Sequence, residues 1–135
     1  MREPEPVNPS TIRRSPPDVR AGVLRGDILL TSHVRIDMHL HGVWRRHHFV
    51  PLPARTWAIL AYLAQHPNTV ITSQQLIAVA WPGEPHDSVD LARHIHRIRQ
   101  AVEPRATIPQ VVLTRRGVGY CLRVPECLPG RFSRN

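Results

Sequence analysis

The stretch Thr114-Arg115-Arg116-Gly117-Val118-Gly119-Tyr120 constrains the folding of this chain most strongly. Val111, Val112 and Leu113 lead into it. Tyr120, Leu122 and Val124 lead out at the period of two of a half-buried strand. Gly117 and Gly119 supply the positive φ or close backbone approach that a tight hairpin requires. The pattern predicts a β-hairpin that pushes Arg115 and Arg116 outward.

The preceding helix-like segment gives the hairpin its meaning. With Leu91 at zero on a wheel of about 100° per residue, Ile95, Ile98 and Val102 fall within about 40° of it. Arg93, Arg97 and Gln100 lie nearly opposite, with His96 beside them, and His94 and Arg99 flank the apolar stripe. Such a helix buries one edge and offers a cationic one.

Charge is concentrated in the same place. The 135 residues include 18 Arg and no Lys against 10 acids, a formal charge of +8. Residues 1–25 carry five Arg and three acids (+2), residues 26–88 four and four (0), and residues 89–135 nine and three (+6). A GC-rich genome accounts for the exclusive use of Arg, but not for its clustering. A cationic helix followed by a cationic hairpin points to a polyanion. Nucleic acid or an anionic membrane face would serve, and the bland alternative is a solvated helix face. Because the cationic hairpin follows directly, the pair suggests double-stranded DNA, with the helix in the major groove, where Arg takes a guanine edge in bidentate fashion, and the hairpin in the other groove.

Other classes find little support. The longest apolar run, Ala58–Ala64, is far too short to span a membrane, and the N-terminus lacks a signal-type apolar segment. The expectation is a cytoplasmic, nucleoid-associated protein with no membrane partner. Cys121 and Cys127 match no metal spacing. No nucleophile–base arrangement or phosphate-binding glycine loop appears, so no enzyme, cofactor or metal is expected. His39, His41 and His48 beside Asp37 could form a metal or pH-responsive patch, but solvated sheet residues are the preferred reading.

Along the chain, residues 1–25 read as a disordered Pro/Arg-rich arm. Ile28–Thr31 reads as a strand, as does the alternating run Val34 to Leu40. A turn at Gly42-Val43 would send the chain back through Trp44 to Leu52, setting Ile36 opposite Phe49 and Asp37 opposite His48. A helix is expected from about Pro53 to Gln65, with Trp57, Leu60, Leu63 and Ala64 inward and His66-Pro67-Asn68 as its stop. Thr72-Ser73-Gln74-Gln75 reads as a capping box for a second helix with Leu76, Val79 and Ala80 inward, stopped by Trp81-Pro82-Gly83. Ser88 is the expected N-cap of the third helix. The order predicts an α+β domain over residues 26–125, with a small N-terminal antiparallel sheet, three helices and a C-terminal hairpin. Residues 126–135 form a short basic tail.

From Val50 to Val124 the chain resembles the winged-helix DNA-binding domain of OmpR/PhoB-type transcription regulators. The likeness rests on His66-Pro67-Asn68-Thr69-Val70-Ile71-Thr72, Gln75-Leu76-Ile77, the stop at Trp81 to Gly83, His94-Ile95-His96-Arg97-Ile98-Arg99, and Thr114-x-Arg116-Gly117-x-Gly119-Tyr120. It covers about 75 residues, or near 100 with the N-terminal sheet, and the order and spacing of the pieces carry it. The resemblance implies a winged helix-turn-helix whose recognition helix is Ser88–Val102. It places Arg97 at the base-reading position and Arg93 at a neighbouring groove-facing one. His94, His96 and Arg99 fall at backbone-contacting positions, Thr114 at a phosphate contact and Arg116 at the minor-groove wing tip. Arg115 has no family counterpart and adds charge. The loop containing Pro82, Gly83, Glu84 and Asp87 is similar to one that contacts RNA polymerase.

The sequence departs from the family at three places. Pro53-Ala54-Arg55-Thr56 stands where Thr-x-x-Glu is usual, Val89 and Asp90 stand where Arg and Thr are usual, and Pro82 precedes Gly83. With only about 25 residues before the first strand, no receiver domain is expected. A lone domain of this kind needs a homodimer on DNA, tandem sites or a partner regulator to add affinity. The leading expectation is a sequence-specific DNA-binding transcription regulator. The alternative is a protein-interaction module docking on RNA polymerase or another regulator with little DNA binding of its own.

Overall fold

Asp37 decides where the N-terminal sheet turns. In the computed structural model, which describes residues 27–125, strands β1 (Ile28–Thr31), β2 (Val34–Asp37), β3 (Gly42–Arg45) and β4 (His48–Pro51) form a four-stranded antiparallel meander. The regions read as an arm (1–25) and a tail (126–135) lie outside the described residues. The Asp37 carboxylate accepts the His39 and Leu40 amides at 3.0 and 2.9 Å and the Trp44 indole Nε1–H at 2.9 Å. This local bonding competes with the ladder and ends β2 at Asp37.

The expected turn at Gly42-Val43 is therefore corrected. Ile36 pairs with Val43 rather than facing Phe49, and Asp37 pairs with Gly42 rather than facing His48. Gly42 opens β3 instead of making the turn, and glycine is required there because a Cβ would meet the Phe49 ring at 2.4 Å and the Val50 carbonyl oxygen at 2.5 Å. The run Trp44 to Leu52 is two segments, split where Arg46 adopts φ 56° between β3 and β4. Trp44 then faces Phe49, and Arg45 faces His48. His39 and His41 lie in the turn, and His41 stacks on Trp57 with ring centroids 4.8 Å apart. The shared strand face that motivated a metal patch does not form. Among the described residues no three His, Cys, Asp or Glu side chains are grouped to hold a metal ion.

Helices α1 (Ala54–Gln65), α2 (Ser73–Ala80) and α3 (Ser88–Val102) pack against this sheet and against a second one. That second sheet has the order β5 (Ile71–Thr72), β7 (Gly119–Leu122), β6 (Val112–Arg115). The common core takes Ile36 and Val43 from the first sheet, Ile59, Leu60 and Leu63 from α1, Leu76 from α2, Leu91, Ile95 and Ile98 from α3, and Val112 and Leu122 from the hairpin. The architecture is an α+β winged helix-turn-helix.

The expected capping box is present. Thr72 Oγ1 accepts the Gln75 amide at 3.1 Å, and Gln75 Oε1 accepts the Thr72 amide at 3.0 Å. The N-cap of α3 is Asp87 rather than Ser88, its Oδ1 accepting the Asp90 amide at 3.0 Å. A carboxylate and a hydroxyl both serve at that position, and the chain uses the carboxylate, one residue earlier. No described helix is long and apolar enough to cross a membrane.

Candidate nucleic-acid interface

The stripe Leu91, Ile95, Ile98 and Val102 is buried against the core, joined by Ala101. Arg93, His96, Arg97 and Gln100 are exposed along the opposite edge of α3. With Val89 and Ala92 they line a shallow open depression running along the helix. Val89 lies about 160° from Leu91 on the wheel, in the middle of the exposed face.

His94 and Arg99 flank the stripe and already have partners inside the protein. His94 Nδ1 is 2.8 Å from the hydroxyl of buried Thr56, and its imidazole meets the Trp81 ring edge-on at 5.4 Å. Burial chiefly, then the charges of Arg97 and Arg55, hold the His94 pKa below the ordinary histidine value. Arg99 donates from Nε and Nη2 to the Val112 carbonyl at 3.1 and 2.8 Å. Its Nη2 also donates to Thr114 Oγ1 at 2.7 Å, and its guanidinium lies 5.9 Å from the Tyr120 ring centroid. These contacts bind the first hairpin strand to the flank of α3.

At the hairpin tip the Val118 amide donates to the Arg115 carbonyl at 2.9 Å, with Gly117 at φ 78°. Arg115 ends β6 opposite Gly119, and Arg116 is exposed at the turn. The tip is anchored from below, because the Ser73 amide at the start of α2 donates to the Val118 carbonyl at 3.0 Å. Gly119 is required by close approach, since a Cβ there would lie 1.9 Å from the Ile71 carbonyl oxygen of β5. The two exposed arginines are thus held on a fixed hairpin beside the cationic edge of α3.

The loop between α2 and α3 is organised around buried Trp81. His86 stacks on that ring at 4.1 Å, and Arg55 covers it at 5.7 Å while donating to the Ala80 carbonyl. Trp81 leaves the helix at φ −131° and ψ 70°, outside the α region that the following proline disfavours. Pro82, Gly83, Glu84 and Asp87 are exposed. Because carboxylates accept, the His86 imidazole donates to Asp90 Oδ2 across 3.0 Å, and its other nitrogen lies 3.4 Å from Glu84. That hydrogen bond from His86 is the main cause holding the Asp90 carboxyl below its ordinary range, with the charges of His86, Arg93 and His94 adding to it. Asp90 Oδ1 also sits 3.7 Å from Arg93 Nη1, so part of the Asp90 charge is neutralised before any ligand arrives.

Comparison with known proteins places this geometry among relatives. Residues 47–122 match the family described as "Transcriptional regulatory protein, C terminal". The DNA-binding response regulator MtrA of Mycolicibacterium smegmatis is 36% identical over 95 residues, covering 70% of this chain and 42% of that protein. The chain therefore spans less than half the length of this curated relative. Among solved structures, the response regulator DrrB, a Thermotoga maritima OmpR/PhoB homolog, superposes with a TM-score of 0.65 at 27% identity, covering 78% of this chain and 49% of that one. The Klebsiella pneumoniae RstA DNA-binding domain, solved in complex with the RstA box, gives a TM-score of 0.60 at 23% identity, covering 73% and 97%. That second likeness is one of fold.

Proposed function

This chain belongs to the family of transcriptional regulatory protein C-terminal domains, the OmpR/PhoB-type winged helices, and on that footing we propose that it is a sequence-specific DNA-binding transcription regulator. One observation carries the reading. Arg93, His96, Arg97 and Gln100 stand exposed on α3 beside the exposed Arg115 and Arg116, and Arg99 fixes the two groups relative to each other. In this reading α3 enters the major groove with Arg97 and Arg93 over base edges, and Arg116 enters the minor groove. His96, Gln100 and Arg115 add polar and phosphate contacts. His94, Arg99 and Thr114 act at the DNA backbone while holding the scaffold in shape. MtrA, named as a DNA-binding response regulator, supports the assignment by kinship.

The test is selection of bound sequences from random DNA at fixed salt. Arg97→Ala is expected to relax the preference at one base position, at a discrimination of about 1–3 kcal/mol. Arg116→Ala is expected to weaken binding to AT-rich flanks. Unchanged binding by both variants would overturn the groove assignment.

Two finer readings follow. The exposed loop residues Pro82, Gly83, Glu84 and Asp87 form the contact for RNA polymerase or a partner regulator, and two copies bind together on DNA, adding affinity that one domain lacks. A pull-down from nuclease-treated lysate tests the first: retention of polymerase without DNA supports it, and loss removes it. The spacing of half-sites in the selected DNA tests the second. Association with the nucleoid follows from the same reading.

A further inference from the structure

Asp90 is the only acid in α3, and it lies in the first turn, three residues before the exposed Arg93. Its two oxygens have separate partners. Oδ2 accepts from the His86 ring across 3.0 Å, and Oδ1 sits 3.7 Å from Arg93 Nη1. His86 is itself stacked on the buried Trp81 ring, with centroids 4.1 Å apart and planes 14° from parallel. A chain of contacts thus runs from the core to the cationic edge through Trp81, His86, Asp90 and Arg93. Side-chain exposure rises along it, from 27% at His86 to 37% at Asp90 and 76% at Arg93. The His86 bond, ahead of the charges of His86, Arg93 and His94, holds the Asp90 carboxyl below its ordinary range and so keeps it ionised.

Helix stability does not account for this arrangement. Asp87 already caps α3, a carboxylate in the first turn suits the helix dipole without either partner, and an exposed i,i+3 ion pair contributes little. For a DNA-binding helix the carboxylate is a liability, because phosphate repels it. Its consequence lies in Arg93. An unsupported arginine samples many rotamers and gives up that freedom on binding, whereas reading a guanine demands that the planar fork meet O6 and N7 together. An N–H from Nη1 to Asp90 uses one of the five donors and leaves four for the base. We infer that Asp90, held by His86, is a positioning residue: it fixes the Arg93 guanidinium for two-point reading of a guanine and makes no contact with DNA itself. The inference rests on the major-groove reading of α3.

The test uses the full chain on DNA that it selects from a random pool at fixed salt. For each variant, affinity for the selected site is divided by affinity for the same site with one base pair changed, position by position. Arg93→Ala locates the base pair that Arg93 reads. At that pair Asp90→Asn is expected to lower the discrimination about threefold, the cost of ordering a loosened arginine. The same variant should bind random DNA more tightly than wild type, because a charge that phosphate repels is gone. His86→Phe, which keeps a ring on Trp81 but no donor, is expected to lower the same ratio and no other. In the Arg93→Ala background Asp90→Asn should change no position. Asp87 still caps the helix in Asp90→Asn, so that variant folds, and unfolding transitions serve as the control for each protein. A full wild-type ratio in Asp90→Asn or in His86→Phe overturns the inference. So does an effect of Asp90→Asn that persists without Arg93, which would make Asp90 a base reader in its own right. If Arg97→Ala relaxes a base position and Arg93→Ala relaxes none, the inference fails and the groove reading stands. If neither arginine matters, or no sequence is selected, the groove reading fails and takes the inference with it.

Discussion

Arg99 donates to Thr114 across 2.7 Å, and through that bond and its pair of contacts to the Val112 carbonyl it ties the first hairpin strand to the flank of α3. A guanidinium can hold two acceptors at once in a planar fork, whereas an ammonium cannot. Arg99→Lys is therefore expected to lower stability by about 1 kcal/mol, since the group is only partly buried. It should weaken binding to every DNA sequence alike, leaving base preference intact. Equilibrium unfolding in urea and competition binding with specific and random DNA check the two halves. A selective loss for one base would reassign Arg99 to direct reading.

Glu103 closes the far end of α3. Its side chain is 1% exposed, and its carboxylate accepts the amides of Gln110, Val111 and Val112 at 2.7 to 3.0 Å. Glu103→Gln replaces one accepting oxygen with an amide that confronts main-chain donors. The expected cost is about 3 kcal/mol, read from the urea midpoint, with the α3–β6 connection becoming the fastest-exchanging backbone of the domain.

Two glycines of the hairpin should respond unequally to alanine. At Gly117 a Cβ meets nothing within 4 Å but the residue holds φ 78°, so Gly117→Ala costs about 1–2 kcal/mol for the left-handed backbone. At Gly119 the new Cβ would collide with the Ile71 main chain at 1.9 Å. Gly119→Ala is expected to cost about 3 kcal/mol or more by separating β5 from β7. Equal thermal shifts in the two variants would contradict that strand contact.

Stability should rise with pH through the histidine range because of His94. Its folded-state pKa is depressed from 6.5, chiefly by burial and then by Arg97 and Arg55, against an opposing pull from Asp90. The unfolded chain therefore binds more protons in the window below 6.5 and is favoured there. As pH climbs through that window the penalty fades, and above it none remains. Urea unfolding between about pH 5 and pH 7 reads this slope. His94→Asn, which keeps a polar atom near the Nδ1 position facing Thr56, is expected to flatten it in part.

The sequence is legible where the determining interaction is local. Thr72 and Gln75 announce their capping box because both partners lie within one helical turn. The Leu91–Val102 stripe follows from periodicity alone. The first sheet is different: Met38 and Leu40 continue the alternation of Val34 and Ile36, so periodicity cannot reveal that Asp37 spends its carboxylate on the next amides and stops the strand. Glu103 escapes notice because its partners are main-chain amides, which carry no residue signature. In the candidate site, the exposure of Arg93, Arg97 and Arg116 is readable. The inward ties of His94 to Thr56 and of Arg99 to Thr114 depend on tertiary contacts that no spacing encodes.

Arg45 reaches out of β3 and donates from Nη1 to the Ala101 and Glu103 carbonyls, at 2.7 and 3.1 Å, where α3 ends. A positive charge is favourable at that end of a helix dipole. The contact also makes the four-stranded sheet a handle on α3. The sheet therefore holds α3 in two ways, through Ile36 and Val43 in the shared core and through one guanidinium at the helix end. A displacement of the sheet is felt at the polar end of the helix as well as in the core.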